Sequence, residues 1–301
     1  MSILRETAAL QQPRLGRSMP SRWWSAFTRF MRTKPLGGTG VVILILTLII
    51  AVGAPVLAPE DPADNNYLTI LEPPGAEHLF GTDVFGRDML SRTIYGTRIS
   101  LIVGVLTMLI ATTIGAALGV SSAYFGGKYD LILQRFVDAM TFMPSLLFAL
   151  TLMAIFEPGF TSLMIAMVVI FSSRGIRIIR SQALSIKEMP YVDAARASGA
   201  GSTRIMLRHI LPNTFGPMMV VATTMVGSAI VIEASLSFLG IGMPPEIISW
   251  GGMLSGEMLR NFTHAPWIGV FPGFALTFMV FGVNVLGDAF RDVFDPRLRG
   301  R

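Results

Sequence analysis

The chain of 301 residues alternates between long stretches without charged side chains and short charged segments. Six windows of 16 to 29 residues contain no Asp, Glu, Lys or Arg: 35–59, 99–127, 139–156, 158–173, 209–232 and 261–287. A transmembrane helix needs about 20 mainly apolar residues, whereas an amphipathic helix of a soluble protein carries polar residues at every third or fourth position. The windows lack such polar stripes. The pattern therefore predicts an all-α membrane protein with six transmembrane helices.

Composition agrees with a membrane protein and excludes several kinds of site. Hydrophobic residues make up 52% of the chain and charged residues 14%, against about 25% charged residues in ordinary soluble domains. The absence of cysteine excludes disulfides, thiolate metal sites and a cysteine nucleophile. His78, His209 and His264 are far apart and lack metal-ligand spacing. We therefore predict no catalytic residues, no metal site and no cofactor bound by this chain.

The distribution of Lys and Arg predicts the orientation of the helices. With the N-terminus inside, the inner segments carry 20 of the 24 basic residues and the outer segments carry four. Cytoplasmic segments of membrane proteins carry such an excess. Both termini are therefore predicted to be cytoplasmic. The same bias accounts for the net charge of +5 without a nucleic-acid partner.

These features divide the chain into consecutive parts. The N-terminal tail carries aromatic residues on one helical face, which predicts an interfacial amphipathic helix on the membrane lipid. The predicted parts are the cytoplasmic tail 1–36, the first transmembrane helix 37–59, an external segment 60–97, a five-helix core 98–290 that includes a cytoplasmic loop 185–213, and a cytoplasmic tail 291–301.

The cytoplasmic loop contains a compact polar segment, residues 191–213. Ser185 and Glu188 have the spacing of a capping box, which predicts a helix start. Gly199 is expected to end the first helix, because glycine adopts the left-handed backbone found at helix ends. A second short helix follows and is expected to end at Pro212, which lacks a backbone N–H. The pattern predicts a protruding helical hairpin that suits a groove on a partner.

This hairpin resembles the "EAA" loop of the membrane subunits of bacterial ABC importers. That signature is an acid, two alanines, three residues, a glycine, nine residues, an apolar residue, any residue and Leu-Pro. The chain has Asp193-Ala194-Ala195, then Gly199, then His209-Ile210-Leu211-Pro212. It departs from the signature at two points, because Asp193 replaces glutamate and His209 takes the apolar position.

In that family the loop forms coupling helices that dock into a cleft on the ATPase subunit. The resemblance therefore implies an ATPase-coupling role for nine residues of the hairpin. They are Tyr191, Asp193, Ala194, Ala195, Arg196, Gly199, Ala200, Leu211 and Pro212.

Four further stretches, 78–101, 123–147, 233–254 and 284–300, are similar to the second-subunit type of the dipeptide/oligopeptide/nickel permeases. This resemblance implies the type I ABC importer permease fold in the bacterial inner membrane, with the external segment in the periplasm. It implies half of a pathway for short peptides, with nickel chelates, glutathione or peptide antibiotics as alternatives. The implied partners are a second homologous permease subunit, two ATPase subunits and a periplasmic or lipid-anchored substrate-binding protein.

The chain itself has no signature for nucleotide binding. A P-loop requires GxxxxGK[ST], and the only Gly-Lys pair, Gly127-Lys128, is followed by Tyr129. ATP and Mg²⁺ are therefore expected in the separate ATPase subunits. A stand-alone secondary transporter is the alternative class, typified by internal repeats or broken helices with ionisable groups at the midplane. A membrane enzyme would require clustered catalytic residues, which the spacing does not provide.

An acid inside the fifth window is a further candidate. Glu233 follows 24 uncharged residues, and an ionisable group in a membrane helix indicates function. We predict that Glu233, with Met225 and Ser228, lines the translocation pathway. A structural hydrogen bond or ion pair is the alternative for Glu233. Near the third window, Asp138 is expected to pair with Arg135 one turn away on the same helix.

Overall fold

The computed structural model describes residues 35–294. Within this range the regular elements are helices, apart from one isolated β-bridge between Thr82 and Asp88. The helices are α1 Pro35–Leu57, α2 Met89–Phe125, α3 Gly127–Phe142, α4 Ser145–Ile155, α5 Phe160–Lys187, α6 Pro190–Ala197, α7 Ser202–Ile205, α8 Phe215–Phe238, α9 Trp250–Met253, α10 Glu257–Arg260 and α11 Trp267–Phe294. The predicted interfacial helix of the N-terminal tail lies outside the described residues, as does most of the C-terminal tail.

Five helical segments of this part of the chain are long and apolar enough to cross a membrane. They are α1, α2, α5, the rod Ser202–Phe238 and α11. The pair α3 and α4 is bent by 96° and makes a sixth crossing when it is taken as one span. The expectation of an all-helical membrane protein is therefore confirmed for residues 35–294.

The third predicted span, 139–156, is not a straight helix. The helix α3 ends at Phe142, and α4 begins only at Ser145, after Met143 and Pro144. Met143 is extended, with φ −84° and ψ 144°, as expected for a residue that precedes proline. Counting charges overlooked this break because Pro144 is uncharged. The chain therefore turns sharply in the middle of an apolar stretch.

The fourth predicted span, 158–173, is much longer than its charge-free window. The helix α5 has 28 residues, so Arg174, Arg177 and Arg180 lie within it instead of in a loop. Arginine is a good helix former, and its charge alone does not end a helix. Three basic residues that the window treated as a boundary therefore occupy successive turns of a candidate membrane helix.

The most extensive contact between long helices joins α2 to α5. A Cβ on Gly115 would lie 3.0 Å from the carbonyl carbon of Gly175, and a Cβ on Gly119 would lie 2.9 Å from the carbonyl oxygen of Ile176. Such glycines let two helix backbones approach closely in a membrane. Residue numbers rise together along this contact, so α2 and α5 run in the same direction.

The helices α1 and α11 pack against each other in opposite directions. A Cβ on Gly40 would lie 2.7 Å from the carbonyl oxygen of Gly282, and Pro35 lines a small cavity with Asp288 and Asp292. The start of α1 and the end of α11 therefore lie at one end of the bundle. The same end holds the end of α2, since α1 and α2 are antiparallel and Arg98 Nε donates to Ala51 O at 2.7 Å.

The opposite end of the bundle is covered by two irregular segments, 58–88 and 239–266, which we call the cap. Two tryptophans fasten it to the helices. Trp250 Nε1 donates to Thr93 O at 2.9 Å, and Trp267 Nε1 donates to Thr82 O at 3.0 Å. Because these bonds cross more than 150 residues of sequence, they hold the cap in one arrangement on α2 and α11.

The cap also contains a buried ion pair. Asp83 is fully buried, and its carboxylate accepts hydrogen bonds from Arg87 Nε at 2.7 Å and from the backbone N–H of Phe85 at 2.8 Å. Buried charges are tolerated when they are paired and hydrogen-bonded in this way. The ion pair therefore fixes the turn that leads into α2.

The glycine contact generates a stability prediction. Gly119→Leu is expected to destabilise the protein by about 1–3 kcal/mol, because overpacking forces the two backbones apart. Gly273→Leu in α11 is the matched control, since its Cβ would meet no atom within 4 Å and both changes raise helix propensity. The measurement is the midpoint of thermal unfolding in detergent, followed by tryptophan fluorescence. Equal midpoints for the two variants would contradict the close contact.

Candidate coupling hairpin and membrane cavities

The first arm of the hairpin is α6, which begins at Pro190 and is followed by a left-handed turn at Gly199. Gly199 has φ +79°, a conformation that favours glycine, and its N–H donates to Arg196 O at 3.0 Å. The predicted capping box does not form. Because α5 continues to Lys187, Glu188 ends that helix, and the residue before α6 is Met189, which makes no side-chain cap.

The second arm does not end at the proline, contrary to the expectation from the sequence. Here α7 leads into a π-helical turn, Met206–Ile210, and a 3₁₀ turn, Leu211–Thr214, before α8 begins. Proline lacks an N–H and its ring clashes with the carbonyl four residues earlier. The wider and then tighter turns accommodate Pro212. The result is one helical rod, Ser202–Phe238, that joins the hairpin to a membrane span.

One side of the hairpin is packed onto the bundle. Val192, Ile205 and Ile210 are fully buried and belong to a cluster that includes Ala123 of α2 and Ile179 of α5. Burying an aliphatic side chain of this size contributes about 1.5–3 kcal/mol. This apolar side therefore holds the hairpin against the ends of α2 and α5.

The nine residues predicted to couple to an ATPase divide between the two sides. Three are partly buried and pack against the cluster: Ala195, Ala200 and Leu211. Six are exposed: Tyr191, Asp193, Ala194, Arg196, Gly199 and Pro212. On the exposed side, Asp193 and Arg196 form a surface ion pair at 2.8 Å.

A polar network at the base of the hairpin was not predicted from the sequence. Arg180 donates to both carboxylate oxygens of Asp130, which also accepts from Ser122 Oγ. Lys187 Nζ donates to Ala123 O at 3.1 Å, next to Tyr124. Bidentate arginine–carboxylate pairs combine the attraction of opposite charges with a fixed hydrogen-bond geometry. This network links the end of α2, the start of α3 and the end of α5 at the base of the hairpin.

The second arm is attached to the same base by a hydrogen bond between Tyr124 OH and Ser202 Oγ at 3.2 Å. Ser202 is the first residue of the rod, so the start of the rod rests on the end of α2. The described contacts thus place the hairpin at the end of the bundle that also holds Pro35, Asp288 and Asp292.

The three residues predicted to line a pathway do not lie together. Glu233 is fully buried, and its Oε1 accepts from Ser237 Oγ at 2.9 Å, while Oε2 has no hydrogen-bond partner within 35–294. Met225 is also buried in the bundle. In this conformation Glu233 makes a structural hydrogen bond, which was the alternative to a position on the pathway. Ser228 is half-buried and lines a cavity.

Two adjoining cavities of about 370 and 310 Å³ open on the face of the bundle that carries Ser228. They share Ser145, Phe171 and Arg174. Sequence reasoning missed Arg174, since it marked the edge of a charge-free window and was assigned to a loop. The larger cavity is lined by Met140, Thr141, Met143, Ser145, Phe148, Ile170, Phe171, Arg174, Arg177 and Ile178.

The ion pair expected between Asp138 and Arg135 is wrong. Asp138 Oδ1 instead accepts from Arg177 Nη2 at 2.7 Å, and the same nitrogen donates to Thr141 Oγ1. The pair links α3 to α5, a contact that the local spacing could not reveal. Among residues 35–294, no three His, Asp or Glu side chains converge as ligands for a metal ion.

Comparison with protein families gives two matches that together cover most of the chain. Residues 111–300 match the family described as the binding-protein-dependent transport system inner membrane component. Residues 21–74 match the N-terminal transmembrane domain of oligopeptide transport permease C. The first match contains the bent pair, α5, the hairpin and both cavities.

Curated relatives are 35–41% identical to this chain over the aligned residues. The putative peptide transport system permease protein of Brucella suis biovar 1 is 41% identical over 261 residues, which are 86% of this chain and 87% of that protein. The oligopeptide transport system permease protein OppC of Bacillus subtilis is 38% identical over 279 residues, 93% and 91% of the two chains.

A glutathione transport system permease protein, GsiD of Escherichia coli, is 35% identical over 279 residues, 92% of this chain and 91% of that protein. The matches span the hairpin, the membrane helices and the cap, and they confirm the resemblance found in the sequence. The chain belongs to the family of inner membrane components of binding-protein-dependent transport systems.

Proposed function

We propose that the chain is a permease subunit of an ABC importer for short peptides in the bacterial inner membrane. It forms half of the translocation pathway together with a second, homologous permease subunit. Two ATPase subunits supply the energy, and a periplasmic or lipid-anchored binding protein delivers the substrate. The observation that carries this proposal is the exposed hairpin, which is continuous with a membrane-spanning rod in a chain without a P-loop.

The proposed topology has six crossings with both termini in the cytoplasm. The bent pair α3 and α4 counts as the third crossing, because it returns the chain from the end of α2 to the start of the parallel helix α5. Pro35, Asp288 and the hairpin lie at one end of the bundle. The excess of Lys and Arg in the segments at this end supports its assignment to the cytoplasm.

The two sides of the hairpin couple ATP hydrolysis in the ATPase subunit to movement of the membrane helices. The exposed side of α6, with Tyr191, Asp193 and Arg196, docks into a cleft on an ATPase subunit, and that subunit binds ATP and Mg²⁺. The buried side moves with the ends of α2 and α5. Packed interfaces tend to switch between discrete arrangements, so a small displacement at the hairpin is enough to reorganise the spans. The chain itself carries out no chemical step.

The substrate class is inferred from relatives and from the cavities. Relatives are named for peptide, oligopeptide and glutathione transport, and all of these ligands carry amide and carboxylate groups. Nickel chelates and peptide antibiotics are alternatives for the same machinery. A stand-alone secondary transporter is the second candidate, because a helix broken at Pro144 and the mid-helix Arg174 are features of that class. ATP-dependent uptake that persists without an ion gradient separates the two.

Deletion of 193–199 is expected to abolish recruitment of the ATPase subunits and peptide uptake, while membrane insertion is retained. Gly199→Pro should act in the same way, since proline cannot adopt φ +79° and lacks the N–H bonded to Arg196 O. Gly201→Ala is the matched control, because Gly201 has φ −67° and open space around its Cβ. The measurement is co-purification of the ATPase with tagged permease. Normal recruitment by the deletion variant contradicts the docking.

Asp130→Asn is expected to loosen the base of the hairpin and to raise the number of ATP molecules hydrolysed per peptide transported. The pair with Arg180 is partly buried and two-pronged, and a hydrogen bond to a charged group contributes about 1.5–3 kcal/mol. Glu77→Gln, at an exposed acid of the cap, is the control for removal of one negative charge. ATPase activity and uptake are measured together in proteoliposomes. An unchanged ratio in both variants would exclude this role of the network.

A further inference from the structure

Arg174 stands at the middle of a membrane helix. It lies 14 residues from the start of α5 and 13 from its end, which corresponds to about 20 Å from either end at 1.5 Å per residue. A charged side chain within a candidate membrane helix is costly, and it usually faces a cavity or partner groups and marks a ligand pathway. Arg174 is exposed on the face of the bundle and has no hydrogen bond or ion pair to any residue of 35–294.

The neighbouring cations on α5 differ from Arg174 in this respect. Arg177 is paired with Asp138 at 2.7 Å, and Arg180 is paired with both carboxylate oxygens of Asp130. Two of the three successive arginines are thus neutralised by acids of α3. Within the described part of the chain, Arg174 leaves one positive charge available to the cavities that it lines.

A second positive feature meets Arg174 at the same place. Ser145 is the first residue of α4, and it lines both cavities. The residue before it, Pro144, provides no side-chain cap, so the first backbone N–H groups of this 11-residue helix are left to other partners. Helix N-termini attract anions through these N–H groups and the helix dipole. The sharp bend at Pro144 is what brings this N-terminus beside Arg174.

The smaller cavity supplies neutral hydrogen-bonding groups. Half-buried Ser228 of α8 and exposed Asn284 of α11 lie on its wall, near the middle of their helices. Gly227 makes room for the amide, since a Cβ there would lie 2.7 Å from Asn284 Oδ1. Apolar side chains such as Val231 and Ile232 complete the lining. Polar groups from four helices therefore converge on one space with apolar walls.

We propose that this shared space binds the carboxylate of the transported peptide, with Arg174 and the N-terminus of α4 as its donors, while Asn284 and Ser228 hydrogen-bond the peptide backbone. The inference rests on the proposed function, that the chain carries peptides. Cavities of about 370 and 310 Å³ would each hold about ten waters, at about 30 Å³ per water. That volume suits an extended polar ligand better than one acidic side chain of a partner permease.

The test compares two peptides that differ in the carboxylate. ATP-driven uptake of trialanine and of trialanine amide is measured with the complete importer in proteoliposomes, and each rate is expressed per peptide-loaded binding protein. The native importer is expected to prefer the acid by about tenfold, since a hydrogen bond to a charged group contributes at least that factor. Arg174→Met should remove the preference by slowing the acid and leaving the amide unchanged. Arg174→Lys should retain part of it, because it keeps the charge but not the two-pronged geometry.

Arg135→Met is the matched control, because Arg135 is an exposed cation of α3 that lines neither cavity. It should leave the preference intact. Equal uptake of acid and amide by the native importer overturns the inference without any variant. Arg174→Met could instead slow both peptides equally or fail to assemble. Either result would indicate that Arg174 pairs with an acid of the partner permease, and it would overturn the inference. If the native importer carries neither peptide, the proposed function itself fails.

Discussion

The close approach of α2 and α5 sets the positions of the other features. Gly115 and Gly119 let the two backbones touch, so α5 is held in one register along α2. That register presents Arg180 to Asp130 at the base of the hairpin and holds Arg174 further along the same helix, beside the cavities. A shift of one residue along this contact would rotate α5 by about 100° and separate these partners.

Features that depend on local order in the sequence were predicted well. Runs without charge located the long helices, because the hydrocarbon core accepts few charged side chains. The spacing from Asp193 through Gly199 to Pro212 identified the hairpin and its family, since it is fixed by a short helix, a left-handed turn and a second helix. The family matches confirm the family.

Features that depend on contacts between distant residues could not be predicted. Asp130 and Arg180 are 50 residues apart, and Asp138 pairs with Arg177 although Arg135 is nearer in sequence. Charge-free windows also count composition and ignore backbone geometry, so the break at Pro144 was not anticipated. For Glu233, the direction of the side chain depends on the rotation of α8 in the bundle, which one sequence does not reveal.

The continuity of the rod Ser202–Phe238 has a mechanical consequence. Ser228, on the wall of the smaller cavity, is 26 residues from Ser202, a distance of about 39 Å along a helix. A tilt of the whole rod by about 5° about the hairpin would shift the cavity wall by about 3 Å over that length. A shift of this size is comparable to the length of one hydrogen bond, so a modest motion of the hairpin is enough to make or break contacts at the cavity.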